Sequence, residues 1–150
     1  MDYEYDQRNN RTLERLKINE SKYKITRFYY DEANRLIKKN LYINNDDMCP
    51  DEKGQGTSID AVTEYSYDGN GNVTQIITPE RYKIIREYDR VDRLIKETKI
   101  EEGFGERVTT AEYDSAGNQI KTTDVNGNSE LREFDVLNRP IKITDKENNI

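Results

Sequence analysis

The sequence predicts an all-β chain, an antiparallel meander of short strands joined by tight turns. Three observations predict it. An aromatic residue followed by Asp recurs six times, at Tyr5-Asp6, Tyr30-Asp31, Tyr67-Asp68, Tyr88-Asp89, Tyr113-Asp114 and Phe134-Asp135. Four residues after each aromatic stands a type that tolerates positive φ: Asn9, Asn34, Gly71, Asp92, Gly117 and Asn138. The chain also carries 11 Tyr and many Ile, Val and Thr residues, which suit pleated strands, within a strongly polar composition.

The aromatics are spaced by 25, 37, 21, 25 and 21 residues, which predicts a unit of about 21 enlarged by insertions in some connections. Within a unit, the Asp opens a type I turn, where its carboxylate can accept backbone N–H groups. The Asn, Asp or Gly three positions later takes the left-handed conformation that returns the chain as a hairpin. Return strands then begin at Leu36-Ile37, Val73-Thr74, Leu94-Ile95, Gln119-Ile120 and Pro140-Ile141. Lys38, Gln75, Lys96, Lys121 and Lys142 follow in strand-like alternation. In this register Tyr30 faces Leu36, Tyr67 faces Val73 and Tyr88 faces Leu94.

A second turn closes each unit at its other end. TDVNGNS (Thr123 to Ser129) and TDKENN (Thr144 to Asn149) repeat the Asp and left-handed pattern, and ITPERY does so with Pro79 and the less comfortable Arg81. Two turns per 21 residues leave strands of about five or six residues. The largest departure is a surface loop expected over 41–62, rich in Pro, Gly and acidic residues. A smaller loop is expected at 101–106. Residues 1–150 read as one repeat array of about six units.

Composition narrows the function. With 36% charged and 33% hydrophobic residues the chain has little material for a thick core. A net charge of -6 argues against nucleic acid, which needs a basic surface. There is no His, and Cys49 stands alone, so neither a nucleophile dyad nor the commonest metal ligand can be built. No apolar run approaches the roughly 18 residues that cross a bilayer, so no membrane insertion is expected of these residues. We expect no cofactor, no metal, no catalytic residue and no enzymatic activity.

Sharper readings of the repeated residues compete with plain ones. The Asp column (Asp6, Asp31, Asp68, Asp89, Asp114, Asp135) could supply Ca²⁺ ligands or acid/base carboxylates. Turn capping explains its fixed place better, and a glycosidase would need one unique pair. The aromatic column could stack on sugars, which makes a carbohydrate- or cell-surface-binding module the alternative function; packing within a thin sheet is the favoured reading. The Lys and Gln column could meet an acidic cargo but suits a solvated face. The acidic stretch from Asn44 to Glu52 lacks the spacing of a calcium loop.

The units YDEANRLIKK, YDGNGNVTQI, YDRVDRLIKE, YDSAGNQIKT and FDVLNRPIKI resemble the YD-repeat, or Rhs, family, whose pattern runs Y-D-x-x-G-R-L. YDQRNNRTLE and the 41–62 insertion depart furthest from it. The resemblance implies a fragment of a large bacterial toxin-like or wall-associated protein, secreted or at the cell surface. It implies a β-solenoid-like shell that encloses a toxin segment. The partners it implies are the rest of the parent repeat protein and that enclosed segment. This chain has no Asp-Pro pair and no self-cleaving core motif, so only wall is represented. Cut edges of such an array favour self-association. Apolar residues are expected on both faces, with Tyr88 and Leu94 on one and Ile85 and Ile95 on the other.

Overall fold

The computed structural model describes residues 1–19, 22–44 and 61–145. Every regular element among them is a β-strand. The chain divides into two compact units, 1–81 and 82–150. The first holds β1 (Asp2–Tyr5), β2 (Arg11–Asn19), β3 (Lys22–Tyr30), β4 (Leu36–Asn44), β5 (Ala61–Tyr67) and β6 (Val73–Ile77). The second holds β7 (Lys83–Tyr88), β8 (Leu94–Glu101), β9 (Gly105–Tyr113), β10 (Gln119–Thr123), β11 (Ser129–Phe134) and β12 (Pro140–Thr144). Within each unit every strand pairs antiparallel with its neighbour in sequence. The architecture is the open antiparallel meander expected from the sequence.

The hairpin geometry follows from local chemistry. Tyr30 pairs with Leu36, Tyr67 with Val73 and Tyr88 with Leu94. All six left-handed slots have positive φ: 64° at Asn9, 61° at Asn34, 96° at Gly71, 64° at Asp92, 93° at Gly117 and 60° at Asn138. In each turn the slot residue donates its N–H to the carbonyl of the Asp three positions earlier, as Asn34 does to Asp31 at 3.1 Å. Arg81 also takes the left-handed conformation, at φ 64°, where glycine or Asn would be comfortable.

The structure corrects the sequence reading in four places. Insertions do not enlarge connections in the 25-residue intervals; they lengthen strands. β2 and β3 have 9 residues each and β8 and β9 have 8 and 9, whereas β6 and β7 in a 21-residue interval have 5 and 6. Added pairs of residues extend the ladder without changing which face each side chain meets, so the longer strands keep the register. The loop expected over 41–62 is also shorter at both ends. Leu41 to Asn44 belong to β4, Ala61 and Val62 belong to β5, and Leu41 pairs with Ala61. Residues 45–60, with Cys49 and most of the acidic stretch, lie outside the described residues, as does the TDKENN turn beyond Asp145.

The 101–106 segment is a tight hairpin turn, with Glu101 paired to Gly105 and both Gly103 and Gly105 at positive φ. The fourth correction concerns alternation. Every return strand carries a β-bulge two residues from its turn: Thr12, Ile37, Thr74, Ile95, Ile120 and Ile141 are each skipped by the pairing. Ile95 is therefore an extra residue in the ladder. Lys96 and Thr98, which pair with Glu87 and Ile85, lie on the face of Ile85.

Packing is thin, as the composition requires. In the first unit two adjacent rungs on one face, Leu13–Arg27–Asn40 and Arg15–Ile25–Tyr42, are paired across β2, β3 and β4. Leu13, Ile25 and Tyr42 are buried there, with Tyr23 packed beside them. Complete burial of such side chains contributes roughly 1.5–3 kcal/mol each. Asn40 is buried among them and donates from Nδ2 to the Tyr42 hydroxyl at 3.2 Å. Among the described residues of the second unit no hydrophobic side chain is fully buried. Its cohesion rests on ladders, half-buried side chains and the contacts between repeats.

Candidate functional site: the seam between repeats

The repeated turns build one recurrent polar site. In the turn at Asp31, Oδ1 accepts the N–H of Ala33 and of Arg35, both at 2.9 Å, while Oδ2 accepts Arg35 Nε at 2.7 Å. Asp68 does the same with the N–H of Asn70 and Asn72 and with Asn72 Nδ2. Asp6, Asp89 and Asp135 repeat the set with Arg8 and Asn10, with Val91 and Arg93, and with Leu137 and Arg139. Asp114 binds the main-chain and side-chain nitrogens of Asn118. Asp124, in the far turn, captures Asn126 and Asn128 in the same way without a preceding aromatic. The motif is thus a property of the turn, and the aromatic adds something else.

Hydrogen bonds to the charged form hold the six carboxyls that follow an aromatic below the ordinary Asp value of 3.8. The Asn side chain is the leading cause at Asp6, Asp68 and Asp114. At Asp31 and Asp89 it is the main-chain N–H of Arg35 and Arg93, and at Asp135 it is the Arg139 side chain. Each carboxylate is occupied by its own turn. Among the described residues, no three carboxylate or thiol groups converge on a point where a cation could sit.

What the aromatic adds is a bond to the preceding repeat. The Tyr30 hydroxyl donates to the Arg11 carbonyl at 3.0 Å, Tyr67 to Leu36 at 2.7 Å and Tyr113 to Leu94 at 3.0 Å. Each acceptor is the residue that pairs with the previous aromatic across its own hairpin. The fifth residue after the aromatic crosses the same seam in the other direction. Arg35 Nη1 donates to the Asp68 carbonyl at 2.9 Å, and Arg93 Nη1 to the Asp114 carbonyl at 3.1 Å. Their guanidinium carbons lie 4.8 Å and 4.6 Å from the ring centres of Tyr67 and Tyr113. Asn10 and Asn118 cross by donating Nδ2 to the Oδ1 of Asn34 and Asn138, both at 2.9 Å.

Sequence reasoning placed the turn residues and missed this seam. The signal was present at the fifth position after each aromatic, where Asn and Arg alternate from Asn10 to Arg139. The phenol tips gave no such signal, because a hydroxyl bonded to a carbonyl of another repeat leaves no trace in local spacing.

The competing readings meet different geometry. Tyr30, Tyr67, Tyr88 and Tyr113 are all half-buried. For Tyr67 and Tyr113 one ring face carries a guanidinium and the hydroxyl is bonded to backbone, so what a sugar would use is partly taken. Burial also pushes the Tyr67 phenol above its ordinary value of 10.0. The Lys column faces carboxylates of the adjacent strand: Lys96 reaches Glu87 at 2.7 Å, Lys121 Glu112 at 2.9 Å and Lys142 Glu133 at 3.5 Å. In the second unit a shallow groove of about 340 Å³ runs past Leu94, Thr109, Tyr113 and Gln119. Its charged lining groups are already paired, Lys96 with Glu87 and Glu97 with Arg86.

No protein-family model and no curated protein sequence matches the chain. Solved structures do. A crystal structure of TcdB2-TccC3-Cdc42 matches with a TM-score of 0.63 and 15% identity over 83% of this chain and 7% of that one. TcdB2-TccC3 without its hypervariable C-terminal region, and TcdB2-TccC3-TEV, each match with a TM-score of 0.64 and 12% identity over 95% of this chain and 8% of theirs. The chain thus spans less than a tenth of the length of these neighbours. It shares with a part of them the fold of an antiparallel repeat meander.

Proposed function

We propose that this chain is a wall segment of a larger repeat protein of the YD-repeat, or Rhs, kind, which encloses or displays another segment of itself. The observation that carries the reading is the seam. Within each unit, neighbouring repeats are joined by a tyrosine hydroxyl running one way, at Tyr30, Tyr67 and Tyr113, and by an Arg or Asn side chain running the other, an arrangement that could propagate along a longer array. The fold likeness to TcdB2-TccC3 supports it, and one of those neighbours is described as TcdB2-TccC3 without its hypervariable C-terminal region. By the same reading the parent acts outside the cell or at its surface. The array contributes no catalysis, because its carboxylates serve their own turns.

The test uses the full-length parent. Limited proteolysis with electron microscopy is expected to show a closed β wall and a protected segment behind it. Weakening the seam with R35N and R93N together is expected to make that segment cleavable. An open ribbon, or a downstream segment cleaved at once in the unmodified protein, overturns the reading.

A further inference from the structure

The fifth residue after the aromatic has two chemistries, and each is matched to a different neighbour. Arg35 and Arg93 bond a main-chain carbonyl of the next repeat, and in both cases the next left-handed slot is a bare glycine, Gly71 or Gly117. Asn10 and Asn118 bond a side-chain oxygen, and in both cases the slot residue supplying it is an Asn, Asn34 or Asn138. We propose that this residue is the docking determinant of the repeat. Arg takes as its neighbour a unit with glycine in the left-handed slot, whereas Asn takes a unit whose slot carries a side-chain acceptor.

Reach is the physical reason. An Asn amide has two N–H groups, and one is held by its own Asp, as Asn118 Nδ2 is by Asp114 Oδ2 at 2.8 Å. The second can cross the seam only if an acceptor reaches back to meet it. The longer guanidinium keeps Nε on its own Asp and still places Nη1 on the far backbone. It also covers the neighbouring tyrosine ring, which the Asn cannot do. Steric exclusion is not the cause, because a Cβ at Gly71 or Gly117 would have nothing within 4 Å. Asn besides tolerates positive φ, so either slot type can form the turn.

Units are then not interchangeable in their order along the array. An Asn unit placed beside a glycine slot would leave its crossing N–H without a partner. This holds whatever the array encloses, and its test is separate from that of the wall.

Double-mutant cycles on the full chain, read by chemical unfolding, decide the matter. R35N is expected to lower the folding equilibrium constant about tenfold. G71N added to R35N is expected to recover most of that loss, by rebuilding the pair seen between Asn10 and Asn34. A coupling of about fivefold or more supports the proposal, and purely additive effects overturn it. Should R35N fail to fold, the second unit offers the reverse cycle. N138G alone is expected to destabilise, and N118R added to it to restore; additivity there overturns the proposal equally.

Discussion

Tyr67 donates its hydroxyl to the main-chain carbonyl of Leu36 at 2.7 Å, across 31 residues of sequence. Leu36 in turn pairs with Tyr30, the aromatic of the preceding repeat. One bond therefore ties the tip of one hairpin to the first rung of another. It explains why the repeated aromatic is nearly always Tyr.

Removing that hydroxyl should cost a hydrogen bond and little else. Tyr67→Phe and Tyr113→Phe are each expected to destabilise the chain by about 0.5–1.5 kcal/mol in urea unfolding. The converse is more telling, because Phe134 occupies the same place without a hydroxyl. Phe134→Tyr should stabilise by a similar amount through a bond to the Gln119 carbonyl. Unchanged stability in all three variants would show that the phenol bonds contribute nothing net.

The left-handed slots respond to backbone chemistry. Gly71, at φ 96°, has open space around it, so Gly71→Ala tests conformation alone and should cost about 1 kcal/mol. Arg81 stands in the same conformation at φ 64°. Arg81→Asn should stabilise by about 0.5 kcal/mol, since Asn adopts that region more readily. Thermal melting of the two variants in opposite directions is the expected result.

Acid should loosen the turns. The six Asp carboxyls have folded-state values lowered from 3.8 by hydrogen bonding. A depressed folded value means the carboxylate contributes stability above its unfolded value and loses it as pH falls through the folded one. Unfolding midpoints should therefore hold steady toward neutral pH and decline below about pH 4. Asp68→Asn should flatten one part of that decline; a profile identical to the parent's would remove the carboxylate from the account.

The outer strands predict association. β1 exposes Tyr3 and Tyr5, and β12 exposes Ile141 and Ile143, beside ladders with an open edge within their own units. Sedimentation is expected to show concentration-dependent oligomers. A stable monomer at high concentration would refute edge association.

Much of this molecule was readable from spacing. Asp31 and Asn34, three apart, specify a turn through forces that act within five residues, and Tyr30 then falls opposite Leu36 because the turn admits one register. The bulge at Ile37 was not readable, since an extra residue in a ladder shows only once the partner strand is present. Strand length escaped as well. The residues added in a 25-residue interval keep the period-2 pattern, so nothing in the sequence separates a longer strand from a longer loop there.

The meander follows from local signals along the chain, because tight turns built from neighbouring residues leave each strand one choice of partner. How repeats hold each other depends on the folded neighbours. Tyr67 on Leu36 and Arg35 on Asp68 are contacts between residues more than thirty apart. Their donors and acceptors meet because two completed hairpins lie side by side, a condition that no local rule encodes.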